Sequence, residues 1–133
     1  MMENKDVRWK QRFSNFETSI KLLEDSIQKI NPSILEKSGI IQIYEFTFEL
    51  AWKTLKDFLE ERDITAKYPR DVIKEAFNFE LIDNGDVWID MLEKRNLMSH
   101  TYNEVIAEQA LVLIKNQYFK ALNQVYHILK SQI

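Results

Sequence analysis

The chain has 133 residues, 45% of them apolar, with 18 Lys+Arg against 21 Asp+Glu and a net charge of −3. That is room for one globular domain, read as residues 1–133, burying roughly two-thirds of its unfolded surface, and the composition excludes a disordered chain. The absence of cysteine excludes disulfide frameworks and thiolate zinc sites, and the mildly acidic balance argues against non-specific coating of nucleic acid.

The opening Met1-Met2-Glu3-Asn4-Lys5-Asp6 lacks the apolar stretch of a secretory signal. No uninterrupted apolar run approaches the ~18 residues that span a bilayer. The expectation is a cytoplasmic protein with no membrane association.

Two glycines and two prolines are too few for a many-turned β fold. The first segment carries Trp9, Phe13, Phe16, Ile20, Leu23, Ile27 and Ile30, spaced alternately by fours and threes. This is the seam of a helix packed against nearly parallel neighbours, and it is expected to run to Asn31-Pro32. Ser33 and Glu36 form an S-x-x-E capping box for a second helix, which extends to about Arg62 with an interruption at Gly39. One stripe of that helix is Ile41, Tyr44, Phe48, Ala51, Leu55 and Phe58; a second is Ile43, Phe46 and Leu50; Gln42, Glu45, Glu49, Lys53 and Lys56 make a polar one. Two apolar faces place this helix at the centre of the bundle and against a second subunit.

Lys67-Tyr68-Pro69-Arg70-Asp71 reads as a loop and helix start, followed by Val72, Ile73, Ala76, Phe77 and Ile82. Asn84-Gly85 signals a turn, with Asp86 expected to cap a shorter helix bearing Val87, Trp88, Met91 and Leu92. The last helix spans roughly 102–131, with Ile106, Ala110, Leu113, Ile114, Leu122, Val125 and Leu129 facing inward. The fold class is all-α, an antiparallel up-and-down bundle of about five helices.

Gly-rich phosphate loops, G-x-S-x-G, H-E-x-x-H and EF-hand signatures are missing from the sequence, so no cofactor is expected. Glu75, Glu80, Asp83, Asp86, Asp90 and Glu93 form an acidic stretch without an intervening Lys or Arg. Asp86, Asp90 and Glu93 share a helical face on which Mg²⁺ is imaginable. The plainer reading, a solvated face or a docking surface for a basic partner, is preferred, and no metal site is assigned. His127 lies in the last turns of the final helix, where a cation suits the helix dipole.

His100 keeps different company. Arg95, Asn96, His100 and Tyr102 fall within eight residues and are side chains suited to phosphate chemistry. Asn96 and His100, four apart, share a helical face, whereas Arg95 and His100 would point about 140° apart on a regular helix. Their convergence requires a bend, a break or a second subunit. Thr101-Tyr102-Asn103-Glu104 reads as a T-x-x-E capping box that starts the last helix just after His100, and its free N–H groups would form an anion site. Histidine can move a proton near neutral pH and a guanidinium can stabilise a pentavalent phosphorane. A surface ion pair and a half-buried ring are the bland alternatives.

Arg95-Asn96-Leu97-Met98-Ser99-His100-Thr101-Tyr102 matches R-x4-H-x-Y and resembles the signature of HEPN-domain proteins that accompany minimal nucleotidyltransferases. The aromatic run from Tyr44 to Lys56 resembles the nucleotidyltransferase substrate-binding branch of that superfamily. The resemblance covers the chain from about residue 8 to the end. It implies a helical bundle whose homodimer brings the Arg and His motifs of two subunits face to face, which would answer the angular separation of Arg95 and His100. It also implies a metal-independent ribonuclease acting on RNA as the toxin of a two-protein module. Arg95 would hold the phosphate, Asn96 would be the polar residue after it and His100 would move the proton. Tyr102 would receive AMP from a separate nucleotidyltransferase, the antitoxin. A non-catalytic adaptor that presents substrate to the nucleotidyltransferase is the alternative from a different class, and a motif that merely holds the dimer together is a third.

Overall fold

The structure, a computed structural model, describes the backbone of residues 2–95 and 103–133 and the side chains of 7–95 and 103–133. Six α-helices follow one another: α1 (Met2–Ser26), α2 (Ile34–Glu61), α3 (Pro69–Asn78), α4 (Gly85–Glu93), α5 (Glu104–Leu113) and α6 (Phe119–Lys130). A π-helical turn, Ile114–Tyr118, fuses α5 and α6 into one rod, so the described residues form five helical rods and no strand.

The seam read from the first segment is the buried face of α1: Trp9, Phe13, Phe16, Ile20 and Leu23 are all buried. It packs antiparallel to α2, with Arg8 paired to Glu60 at 3.0 Å and Trp9 edge-on to Phe58 at one end. Further along, Ser19 and Thr47 share a buried hydroxyl hydrogen bond. Arg12 Nε lies 3.2 Å from Asp57 Oδ2, so this buried carboxylate faces a cation. Thr47 and Thr54 donate to the carbonyls of Ile43 and Leu50, 2.7 and 2.6 Å away, which satisfies hydroxyls that the core would otherwise strand.

The rod returns antiparallel to α1, where Phe13 stacks on Tyr126 at 5.6 Å and Tyr126 donates to Glu17. It runs parallel to α2, because the α3–α4 pair intervenes: Lys37 meets Glu108 at 3.0 Å, and Tyr44 meets Tyr118 further along. All six residues of the first α2 stripe are buried, and α2 touches α1, α3, α5 and α6. The second stripe is only half covered, with Phe46 43% exposed.

Several boundaries differ from the sequence reading. Helix α1 ends at Ser26 rather than near Asn31-Pro32, and Ile30 is 82% exposed. The chain tightens there into i→i−3 bonds (Gln28 to Asp25, Lys29 to Ser26) and turns at Asn31, whose φ of 51° is one that asparagine tolerates. Gly39 does not interrupt α2; a Cβ there would meet nothing within 4 Å. The Ser33–Glu36 capping box is present, with reciprocal bonds of 2.9 and 3.1 Å. Asn84, not Asp86, caps α4 by accepting from Val87 N–H. Of the apolar residues noted after the α3 start, Val72, Ile73, Ala76 and Ile82 are buried and Phe77 is 50% exposed. Asn103 caps α5, accepting from Val105 and Ile106 N–H at 3.0 and 3.2 Å. Glu104 is therefore the first helical residue instead of the third, and the expected box with Thr101 does not set the helix start; Thr101 itself lies outside the described residues.

Phe48 is fully buried between Tyr44 and Trp88. Phe48→Ala is expected to cost about 3–5 kcal/mol in urea unfolding, whereas Val105→Ala, on an exposed face, should change stability by no more than about 0.5 kcal/mol.

Candidate functional site

Of the four motif residues Arg95, Asn96, His100 and Tyr102, Arg95 is the one whose setting is described; the other three lie outside the described residues. Arg95 follows the C-cap of α4, where Lys94 N–H bonds the Asp90 carbonyl at 3.0 Å. Two side chains fix this end of α4. Lys94 Nζ donates to Asp90 Oδ1 at 2.7 Å, and Tyr118 donates its hydroxyl to Asp90 Oδ2. Burial works against ionisation of Asp90, but the hydrogen bonds from Lys94 and Tyr118 outweigh it and hold the carboxyl below its ordinary range. Burial, and the same bond to Asp90, push the Tyr118 phenol up.

Tyr118 closes the π-helical turn. A π turn adds a residue to the helical circuit and re-aims the side chains around it. The Tyr118 ring stacks on Tyr44, centroids 5.4 Å apart and planes 20° apart. The Tyr44 hydroxyl is buried without a hydrogen-bond partner, and burial, with Tyr118 and Asp90 beside it, raises its pKa well above the usual phenol range. Tyr44, Tyr118, Ile41 and Ile114, with Lys94 and Arg95, line a crevice too small to hold a water molecule.

The Arg95 side chain is 40% exposed, and its Nη1 lies 3.9 Å from Glu49 Oε1. Glu49 Oε2 accepts from Trp52 Nε1 at 3.0 Å and lies 3.8 Å from Lys53 Nζ. One turn earlier on α2, Glu45 has a buried Oε2 without a hydrogen-bond partner. Burial first, then the charge of Glu49, raise the Glu45 pKa, and Arg95 offsets this in part. A cation flanked by two carboxylates and still partly open to solvent can accept an anionic ligand while its direction is held from behind. The sequence reading treated Glu45 and Glu49 as part of a polar stripe and gave Tyr118 no role. The signal for the first was their spacing, i and i+4 on the same side of α2; the π turn left no signal in the sequence.

The acidic stretch does not gather into one site. Asp83 accepts from Gln124 at 2.7 Å, Asp90 is taken by Tyr118 and Lys94, and Glu93 lies 3.8 Å from Arg70. Among the described residues no three His, Asp or Glu side chains are grouped as metal ligands. A groove of about 680 Å³ between α3 and α4 is lined by Asp83 and Asp86 but also by Arg70 and Lys74, over Ile73 and Phe77. His127 is exposed in the last turn of α6, as its position suggested. No described helix is long and apolar enough to cross a membrane.

Residues 11–131 match the sequence model of the family described as nucleotidyltransferase substrate binding protein like. The chain belongs to this family. It is 31% identical over 100 residues to the probable ribonuclease HepT of Haemophilus influenzae, an alignment covering 69% of this chain and 68% of the relative. Two solved structures share the fold of this nucleotidyltransferase substrate-binding-like protein. A Thermus thermophilus protein superposes with a TM-score of 0.79 at 29% identity, covering 86% of this chain and 98% of the other. A Haemophilus influenzae protein, reported to reveal the fold of a substrate binding domain of a nucleotidyltransferase, superposes with a TM-score of 0.64 at 26% identity, covering 98% and 99%.

The raised pKa of Glu45 has a sign that can be tested. A carboxyl whose folded pKa lies above its unfolded one favours folding while protonated, and that contribution is lost as pH rises through the folded pKa. Glu45→Gln is therefore expected to raise the melting temperature at pH 7.5 relative to wild type, with the gain disappearing at pH values below the ordinary glutamate range. Equal melting curves at both pH values would contradict the assignment.

Proposed function

We propose that this protein is a ribonuclease of the HEPN type, paired with a separate minimal nucleotidyltransferase and acting as the toxin of that pair. The observation that carries the reading is the R-x4-H-x-Y motif, Arg95 to Tyr102, in a chain that belongs to the nucleotidyltransferase substrate-binding-like family. The resemblance to a probable ribonuclease supports the activity. So does the setting of Arg95, partly open and ready to meet a phosphate.

In this reading, Arg95 binds the scissile phosphate and stabilises the charge that builds on its oxygens. His100 takes the proton of the ribose 2′-hydroxyl or returns one to the leaving 5′-oxygen. Asn96 adds a polar contact beside the arginine. Helix α5 starts at Glu104, so the positive end of its dipole lies close in sequence to His100 and favours an anion there. Two copies of the chain form the working unit, each motif completing a site across the dimer axis, and the half-covered stripe of Ile43, Phe46 and Leu50 is apolar surface available for that contact. Tyr102, two residues from His100, is the acceptor for AMP from the nucleotidyltransferase, and a phosphate ester beside Arg95 would block the substrate's own phosphate.

A second reading, a non-catalytic subunit that presents substrate to the nucleotidyltransferase, is favoured by the family description and by one structural relative. The test is incubation of purified wild-type, Arg95→Ala and His100→Ala proteins with total RNA in EDTA. The ribonuclease reading expects cleavage by wild type and a loss of at least about a hundredfold in each variant. Intact RNA with wild-type protein whose Tyr102 is shown by mass to be unmodified would favour the adaptor.

A further inference from the structure

We infer that Glu49 is the positioning residue for Arg95, held in place by the indole N–H of Trp52. The inference rests on the reading of Arg95 as the phosphate-binding group, and adds to it what aims that group. The two oxygens of Glu49 are divided between two tasks. Oε2 accepts from Trp52 Nε1 at 3.0 Å, and Oε1 faces Arg95 Nη1 at 3.9 Å. Trp52 is buried, one turn further along α2, so its N–H is a fixed donor. A carboxylate held through one oxygen presents the other in a set direction, which a freely rotating surface glutamate does not.

The pair is also placed where it can matter. Glu49 is 32% exposed and Arg95 40%, so the contact is neither fully screened nor fully desolvated. Arg95 belongs to the short stretch beyond α4, whereas Glu49 lies in the middle of the long helix α2. The rigid central helix thus sets the direction of a side chain that lies just past the C-cap of α4, which is how supporting residues keep a reactive group in register. Glu45, one turn away, adds negative charge on the same side when ionised and strengthens the pull on the guanidinium. Lys53, 3.8 Å from Glu49 Oε2, sits on the Trp52 side of the carboxylate and does not compete for Oε1.

The experiment uses full-length Glu49→Gln, Trp52→Phe and the double variant. The direct readout is the NMR correlation of the Arg95 Nε–H group, assigned by its loss in Arg95→Lys. In wild type it should show the shift and slowed rotation of a paired guanidinium, and in Glu49→Gln those of a free one. An Arg95 signal that is the same in both proteins overturns the inference. In RNA cleavage, Glu49→Gln should lower kcat by about tenfold while leaving KM within about twofold and the melting temperature unchanged. Trp52→Phe should act in the same direction but less, and the double variant should be no worse than Glu49→Gln, because both act through one carboxylate. Full activity in Glu49→Gln would overturn the inference while leaving the ribonuclease reading intact. An inactive wild type would overturn the ribonuclease reading, and the NMR comparison would still decide whether Glu49 orients Arg95.

Discussion

The structure depends on the burial of α2 against several neighbours at once. Tyr44, Phe48, Ala51, Leu55 and Phe58 are removed from water on one face, and α1 closes the adjacent one. Aromatic side chains dominate: Phe48 lies between Tyr44 and Trp88, Phe58 meets both Trp9 and Phe79, and Tyr44 stacks on Tyr118. Such rings carry large apolar areas and prefer defined mutual angles, so they limit how the helices can slide past one another. A helix with this many constraints is a fixed rail, and the candidate site is built along one side of it.

That side carries the acidic groups. Glu45 and Glu49 face the end of α4, while Tyr118 and Lys94 converge on Asp90 just before it. The end of α4 is therefore held from two directions: by the rod through Asp90, and by α2 through the carboxylate opposite Arg95. Each contact is modest, since partly exposed ion pairs contribute little to stability. Their effect is geometric, fixing where a cation points, and this fits a chain whose stability comes from its aromatic core.

Membership of the nucleotidyltransferase substrate-binding-like family agrees with this division of labour. The relatives share the bundle at 26–29% identity, a level at which a core can keep its volume and pattern while many side chains differ. The bundle is the shared scaffold, and a fold of this kind does not by itself fix what a member does.

The sequence by itself determined the helices and their inward faces. Spacings of three and four in α1, α2 and the last rod reported the burial pattern because a helix with one apolar side has few ways to hide it. The capping box at Ser33 was equally legible, since both partners sit within one turn. Boundaries decided by local competition were less so: the early end of α1 at Ser26, and the caps at Asn84 and Asn103, turn on which of several neighbouring polar side chains reaches a free N–H first. The motif from Arg95 to Tyr102 was visible as a string of residue types. Only the tertiary structure decided that Glu49 and Trp52 stand opposite Arg95, and that a π turn brings Tyr118 to Asp90. These contacts join residues 28 to 46 positions apart in the chain, pairs such as Tyr118 with Asp90 and Glu49 with Arg95, and no periodicity within a single helix encodes which face of another it will meet.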